Sequence, residues 1–381
     1  MNFSILLPSS KSIVIRQMMA HFVLTGELLP LRGGECEDVC VTHRALKVVA
    51  ESAGRGAVVD VADCGAACRF VMALLAVTRG RWLLTGAPRL LERPMEGLVQ
   101  ALCSIGGRIT RVEEGWRIEG GALRAETLTV DARQSSQFAS ALLLIAPEIG
   151  LRRLELAPAD IPSKPYLQLT RLCMPAPVEV SGLPQPQGPL GRSGDWSAAL
   201  FWYAHALLHP ENSYELLDLS LTSAQGDAVV AEWFEELGVS SEETERGVRI
   251  AAQRPRQNAS LRLDVADHPD VVPVMAALAV LLPADVTFLH TDNLRYKESD
   301  RVGELSKQLS PFAEIRCTDN SLCVKGKERM KWPQPPYAFR TCNDHRLAMA
   351  FLLFGPEARL DDLGCLRKSY PQLPDILQSD M

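Results

Sequence analysis

The sequence predicts a mixed α/β (α+β) fold of two similar domains, each assembled from repeated helix-and-hairpin units. Three observations carry this prediction. The chain has 381 residues, more than one ordinary core accommodates. A segment of amphipathic helix followed by a hairpin recurs along it. A stretch dense in proline and glycine, Pro175 to Gly194, interrupts the pattern near the middle and marks a crossing between domains.

The repeat is legible in order. A weaker copy lies at Leu46 to Val61. Val99 to Gly121 reads as a helix, a Gly106-Gly107 turn, a strand at Arg108-Ile109, a second turn and a strand at Gly115 to Ile118. Val230 to Ala251 repeats this, with Gly238 ending the helix and Gly247 to Ile250 closing the hairpin. Glu304 to Gly326 is a looser copy, with its turn at Asp319-Asn320. Such units cannot bury a core alone and must pack on one another; at about 60 residues each they fall outside the usual solenoid periods. Pro175 to Gly194 reads as irregular loop or edge strand, and helical character resumes over Trp196 to Leu208. Trp332 to Tyr337, rich in proline, reads as a surface loop.

Composition narrows the class. Hydrophobic residues make up 47% and charged residues 23%, the balance of a soluble globular chain. A net charge of −6 with a pI near 5.7 argues against non-specific nucleic-acid binding. Any anion site must be a local basic cluster. Ten cysteines show no CxxC pair and no zinc spacing with histidine, so no metal is expected. Most sit in apolar contexts and read as reduced core thiols, which fits a cytoplasmic protein. Met1 to Pro8 lacks the basic start of a signal peptide, and the apolar run Val271 to Pro283 is too short to span a bilayer.

The chemistry concentrates at five junctions where a small polar cluster precedes an apolar run. Ser9-Ser10-Lys11-Ser12 precedes Ile13 to Leu24. Asp63-Cys64-Gly65 precedes Ala66 to Val77, which carries Arg69. Ser135-Ser136-Gln137 precedes Phe138 to Ala146. Asp267-His268-Pro269-Asp270 precedes Val271 to Leu282. Asn343-Asp344-His345-Arg346 precedes Leu347 to Phe354. Helix starts expose unpaired N–H groups and the positive end of the macrodipole, so several of them with added Lys or Arg suit a polyanionic ligand.

Each segment also has a plainer reading. An N-cap accounts for one Asn or Asp, but not for four hydrogen-bonding side chains in a row at Asn343 to Arg346. Lys297-Glu298-Ser299-Asp300-Arg301 reads as a solvated helix start with internal pairs, or as two cations on an anion with Glu298 carrying a proton. Arg89 and Arg93 flank a helix start fixed by Pro94 and are ordinary surface arginines on that reading. Ser9 to Ser12 lacks the Walker glycine and the Gly-Lys-Ser/Thr order, which excludes a P-loop. Neither a metalloprotease helix nor a Rossmann glycine pattern nor a Gly-x-Ser-x-Gly elbow is present.

Taken in order, these segments resemble the enolpyruvyl transferases, in particular the branch that acts on shikimate 3-phosphate. Leu7-Pro8-Ser9-Ser10-Lys11-Ser12 with Arg16 is similar to the family's Pro-Gly-Ser-Lys-Ser start. Leu84 to Arg89 through Glu92-Arg93-Pro94 is similar to its central signature. Ser135-Ser136-Gln137-Phe138, Ser163-Lys164-Pro165-Tyr166, Gln225-Gly226-Asp227, Pro269-Asp270, Lys297 to Arg301, Asn343 to Arg346 and Lys368-Ser369-Tyr370-Pro371 follow in family order. The resemblance implies two domains of three β-α-β-α-β-β units each, an inside-out α/β barrel arrangement with the active site in the cleft between them. Six units in 381 residues is about 63 each, in line with the repeat. The expected division is residues 1–9 plus 194–381 for one domain and 10–193 for the other.

The activity implied is transfer of the enolpyruvyl group of phosphoenolpyruvate to the 5-hydroxyl of shikimate 3-phosphate, with release of phosphate, as a step of aromatic amino acid biosynthesis. The resemblance implies no cofactor, no metal, no nucleic-acid or membrane partner, and a monomer. By match to the family motifs, Lys11, Gly65, Arg93, Gln137, Arg301, Arg346 and Lys368 would hold phosphoenolpyruvate. Ser12, Arg16, Ser135, Ser136, Gln137, Ser163, Tyr166, Asn293 and Lys297 would hold shikimate 3-phosphate. Asp270 would take the proton of the 5-hydroxyl, and Glu298 with Lys11 would handle protons on the enol side.

The chain departs from the family in places: Ser9 stands where the family usually has Gly, the chain is somewhat short, and the main departure is at one junction. Where the family reads Asn-Ala-Gly-Thr-Ala-Met-Arg-Pro, this chain reads Asp63-Cys64-Gly65-Ala66-Ala67-Cys68-Arg69-Phe70. Asp63 brings a carboxylate near a phosphate site, and Ala66 and Phe70 reshape its wall. Two alternatives follow: the related transferase acting on a UDP-amino sugar, and a non-catalytic homologue that binds phosphorylated ligands. Ser10-Lys11-Ser12 and Ser163 to Tyr166 favour shikimate 3-phosphate over the nucleotide sugar.

Overall fold

Gly106, at φ +98°, and Gly238, at φ +101°, supply the left-handed turn that ends a helix and starts a hairpin. The structure, a computed structural model, describes residues 1–379 apart from 53, 176, 187 and 254–259. Helix Glu96–Ser104 leads into strands Arg108–Val112 and Gly115–Gly120. Helix Val230–Leu237 leads into Val239–Glu243 and Gly247–Ala252, and helix Arg301–Leu309 into Ala313–Cys317 and Ser321–Gly326. The three helix–hairpin segments legible in sequence are therefore present.

Each hairpin joins two further strands in a four-stranded sheet of one design. The first strand runs parallel to the second, the second pairs antiparallel with the fourth, and the third lies at the edge. The leading pairs are Asn2–Leu6 with Ser213–Leu217, Ser260–Asp264 with Asp285–Leu289, and Val58–Asp60 with Gly80–Thr85. The helices that connect these pairs are Trp196–Leu208, Val272–Leu281 and Gly65–Val77, and they are buried almost all round. A helix apolar on every side has to lie inside, so the sheets are left outside with one face in solvent. This is the physical origin of the inside-out arrangement.

The other units are abbreviated. Thr127–Asp131, Arg153–Ala157 and Glu179–Val180 form a three-stranded parallel sheet without a hairpin. The third strand stops after two residues because the chain turns there: Gly182 is at φ +73° and Leu183 N donates back to Val180 O at 3.2 Å; residues 176 and 187 of the proline-rich stretch lie outside the described residues. Tyr337–Phe339 and Ala358–Leu360 form a two-stranded parallel sheet. Helices Lys11–Thr25 and Glu37–Glu51 carry no strand of their own among the described residues. Three of the six implied units are thus complete.

Three local expectations need correction. Leu46 to Val61 is not a helix with a hairpin: Val58–Asp60 is a single strand that opens the next sheet, because the apolar run after Asp63 has helical period. Trp332 to Tyr337 is not wholly a surface loop: both end residues are buried in an aromatic cluster with Phe312, Phe339 and Phe354. All ten cysteines are free thiols, but only Cys36, Cys64, Cys68 and Cys365 are buried, because several others fall on strand or turn positions that face out.

The chain divides into two compact units, Met1–Ser10 with Gly191–Met381, and Lys11–Leu190. Each has its own core. The first contains the buried Trp196, Trp202, Phe234 and Phe288, the second Phe70, Trp82 and Phe138. Where the chain leaves and re-enters the first unit its two passages pair: Ser9 bridges Gly194, Ser10 N donates to Ser193 O at 2.6 Å, and Asp195 N donates to Pro8 O at 3.0 Å. No helix among the described residues is long and apolar enough to cross a membrane.

Candidate active site

In the unit containing Gly191–Met381, three carboxylates meet on one guanidinium. Arg301 is the first residue of helix Arg301–Leu309, whose N-cap is Asp300, with its carboxylate accepting from Gly303 N at 3.0 Å. Asp300 thereby ends the run of charges as a cap, and Arg301 turns inward to 1% exposure. Its Nη1 donates to Asp270 at 2.7 Å and its Nη2 to Glu298 at 3.0 Å. Its Nε donates to Asp344 Oδ2 at 2.9 Å, and Nη2 reaches Asp344 Oδ1 at 3.3 Å.

Each carboxylate is delivered by a helix start. Asp270 lies in the turn Pro269–Val271 that enters helix Val272–Leu281. Asp344 is the N-cap of helix His345–Leu352: its Oδ1 accepts from Arg346 N at 2.9 Å, while Ser299 Oγ donates to Oδ2 at 2.9 Å. One buried carboxylate therefore caps a helix and aims Arg301. Further cations surround Asp270, with Lys297 Nζ and Arg346 Nη2 each at 3.6 Å. Lys368, 5% exposed, donates from Nζ to Asn343 O at 2.6 Å, next to the same cap. Asn293 is buried in the turn Asp292–Tyr296, and no side chain or backbone donor among the described residues reaches its Oδ1.

The charges are set by burial and by neighbours. Burial pushes the Asp270 carboxyl up, but Lys297, Arg301 and Arg346 more than offset it and hold the group well below the usual range. Burial works against a charged Arg301, and Asp344, Asp270 and Glu298 reverse this and hold its pKa well above the ordinary value. Asp227 differs: burial first, then the negative charge of Asp270, pushes it up, although Ser197 Oγ donates to it at 2.5 Å. Two nearby aspartates are thus driven in opposite directions. Arg346 carries a buried Nε with no acceptor among the described residues, a donor suited to an anion.

In the unit Lys11–Leu190 a second group of predicted residues clusters. Lys11 opens helix Lys11–Thr25 and pairs with Asp38 at 3.0 Å, in the first turn of helix Glu37–Glu51. Arg16 donates from Nε to Thr170 Oγ1 and from Nη1 to Ser12 O, both at 2.8 Å, and lies over the rings of Phe70 and Tyr166. Burial lowers its pKa to about 10, with Cys173 and Tyr166 acting the other way. Ser163, at φ +61°, occupies the N-cap position of helix Lys164–Cys173 without a side-chain capping bond, and the helix carries both Tyr166 and Thr170. Ser136 is the buried N-cap of helix Gln137–Leu144, and Ser135 Oγ accepts from Gln137 N at 3.3 Å. Gln137 Oε1 is buried with no donor among the described residues.

Gly65 is the first residue of helix Gly65–Val77, under two guanidiniums. Arg69 Nη1 donates to Gly65 O at 3.0 Å, and its Nη2 to Pro94 O at 3.1 Å. A Cβ at Gly65 would stand 2.6 Å from Arg93 Nη1 and 2.9 Å from Arg69 Nη1, so the close approach depends on glycine. The cap is Cys64, whose Sγ accepts from Ala67 N at 3.4 Å, rather than Asp63. Pro94 is not the first helical residue expected of it: helix Glu96–Ser104 begins two residues later, with Met95 as N-cap. Arg89 is exposed and pairs with Glu92 at 3.2 Å, the plain reading made for it.

Four contributors were missed as site residues. Asp344 was legible as part of a helix start, and its second role needed Arg301 in place. Asp38 and Thr170 are 27 and 154 positions from the residues they hold, without a local signal. Arg69 was visible in its run, but only the structure puts it beside Gly65 and Arg93.

Residues 34–377 match the family model for EPSP synthase (3-phosphoshikimate 1-carboxyvinyltransferase). The 3-phosphoshikimate 1-carboxyvinyltransferase of Bacteroides fragilis is 34% identical over 98% of this chain and 94% of its own length. That of Methanopyrus kandleri is 31% identical over 84% of this chain and 78% of its own. The solved structure of EPSP synthase from Acinetobacter baumannii superposes with a TM-score of 0.66 over 99% of this chain and 95% of that one, at 17% identity, which is a likeness of fold. With the motifs in order from Lys11 to Lys368, the sheet design repeated and the family matched over most of its length, this chain belongs to the EPSP synthase family.

Proposed function

We propose that this protein transfers the enolpyruvyl group of phosphoenolpyruvate to the 5-hydroxyl of shikimate 3-phosphate and releases phosphate. The observation that carries the reading is the cluster around Arg301, where a depressed carboxylate, Asp270, is surrounded by Lys297, Arg301 and Arg346. Both substrates carry a phosphate and a carboxylate, and a set of cations held against internal carboxylates is suited to exchange them for those of a ligand. Lys11, Gly65, Arg93, Gln137, Arg301, Arg346 and Lys368 take phosphoenolpyruvate. Ser12, Arg16, Ser135, Ser136, Gln137, Ser163, Tyr166, Asn293 and Lys297 take shikimate 3-phosphate.

The reaction is addition followed by elimination. Asp270 accepts the proton of the 5-hydroxyl as its oxygen bonds to C2 of phosphoenolpyruvate, while Glu298, assisted by Lys11, protonates C3. C3 then gives a proton back, and the C2–O bond to phosphate breaks to restore the double bond. Asp270 in its present ion pairs is a weak base. As ligand anions draw Lys297 and Arg346 away, its pKa rises toward that of a competent one. The free thiols and acidic pI accord with a cytoplasmic enzyme, which we take to be a monomer.

The test is phosphate release by the purified protein. Release is expected with both substrates and not with either omitted. No release at saturating concentrations of both would refute the reading.

A further inference from the structure

One end of the four-stranded sheet in the Lys11–Leu190 unit opens on a cavity of about 670 Å³ that is lined by none of the candidate active-site residues. Arg55, Arg79, Arg81 and Arg108 line it, with Glu119 as the one carboxylate among the described residues. A concentration of positive charge there stands out in a chain whose net charge is −6.

The sheet register explains the clustering. Arg81 is opposite Glu119, and Glu119 is opposite Arg108, so three strands put Arg–Glu–Arg in a row on the solvent face. Trp82 and Ile118, the alternate residues, go to the core. Arg81 N donates to Arg55 O at 3.4 Å, which ties the loop carrying Arg55 to the same strand end. Arg79 immediately precedes the strand Gly80–Thr85.

The charges are not balanced internally. Glu119 pairs with Arg108 at 3.2 Å. Among the described residues, no hydrogen bond or ion pair engages the guanidinium of Arg55, Arg79 or Arg81. Like charges gathered round a hollow repel one another, and a bound anion would relieve that cost. The planar guanidinium fork meets a phosphate with two parallel hydrogen bonds. The volume lies within the range of about 300–1,000 Å³ typical of small-ligand sites. Among the described residues no aromatic side chain lines the cavity, so they offer no stacking platform for bases. The site is also remote from the Gly65 and Arg93 group: Arg81 is at one end of strand Gly80–Thr85 and Arg93 follows the other, a strand length of roughly 17–20 Å away.

We propose that this cavity is a second anion site, which binds a compact, non-aromatic molecule bearing two or more phosphate groups. The probe is inorganic tripolyphosphate, titrated into the full-length protein by calorimetry at low and at physiological salt. Arg79→Ser with Arg81→Ser is expected to weaken one class of site about tenfold or more, at the scale of two charge-assisted contacts. Glu119→Gln is expected to tighten the same site about threefold by removing the competing carboxylate. Turnover measured without tripolyphosphate should be unchanged in both variants. An identical isotherm for the double variant, or weaker binding in Glu119→Gln, overturns the proposal. Tighter binding of a single-stranded RNA oligonucleotide, lost in the same double variant, overturns it in favour of a nucleic-acid surface. Should the double variant fail to fold, the direction of the Glu119→Gln change decides alone.

Discussion

Asp344 and Arg301 form a two-point ion pair in which the side chains are 0% and 1% exposed. The carboxylate receives Nε and Nη2 of the guanidinium, and in the same position it caps helix His345–Leu352. A local helix signal and a long-range electrostatic contact are served by one side chain. Helix position, guanidinium orientation and the charge around Asp270 are therefore linked.

Replacing Asp344 by Asn keeps an acceptor for the cap and removes the charge. Arg301 retains Asp270 and Glu298, so the loss should be smaller than for a fully orphaned buried cation: about 2 kcal/mol of stability by urea unfolding. If Asp344 acts by aiming Arg301, KM for phosphoenolpyruvate should rise about tenfold or more while the protein remains folded. A folded Asp344→Asn variant with wild-type KM would show that the contact is structural alone.

Asp270→Asn separates proton transfer from binding. The amide fills the same space beside Arg301 but cannot take the hydroxyl proton. Turnover should fall by about 10²- to 10⁴-fold, the usual contribution of a positioned base, with binding of shikimate 3-phosphate by calorimetry largely retained. Equal losses in turnover and in binding would contradict the role given to Asp270.

The fold was legible where the period of hydrophobic residues was unambiguous. Val272–Leu281 and Gly65–Val77 read as helices from their apolar runs, and Gly106 and Gly238 announced their turns. The abbreviated units were not legible, since a two-residue strand such as Glu179–Val180 has no periodicity to detect. At the site, the charged positions were visible as helix starts, because capping is local. Their partners were not: Lys11 with Asp38 and Arg16 with Thr170 are set by packing between helices. The motif order identified which chemistry to expect, and it was silent on Asp344 as the support of Arg301.

Acid stability should report the opposed aspartates. Asp270 has a folded pKa below its unfolded one. Its contribution is complete above the unfolded value of about 3.9 and is lost as pH falls through the folded value. Asp227 has a raised pKa, so its contribution is complete below about 3.9 and is lost as pH rises through its folded value. Unfolding free energies measured by denaturant titration should therefore fall on both sides of roughly pH 4 through these two groups. Asp270→Asn should flatten the limb below that pH and, by removing a charge that helps raise Asp227, make the limb above it shallower, whereas Asp227→Asn should flatten the limb just above it. Unaltered limbs in both variants would assign the acid dependence to other carboxylates.

Gly65→Ala tests the second group of cations. The added methyl meets the ends of two flexible side chains, at 2.6 Å from Arg93 Nη1 and 2.9 Å from Arg69 Nη1, rather than backbone. Arg69 is buried and donates to Gly65 O and Pro94 O, so making room for the methyl strains those bonds, and stability should fall by about 1–3 kcal/mol. The displacement falls where an anion would meet the helix start and both arginines. KM for phosphoenolpyruvate should rise about tenfold, with kcat changed far less, because the methyl removes binding common to ground and transition states. A fall in kcat at unchanged KM would instead mean that Arg93 and Arg69 act on charge that develops only during the reaction.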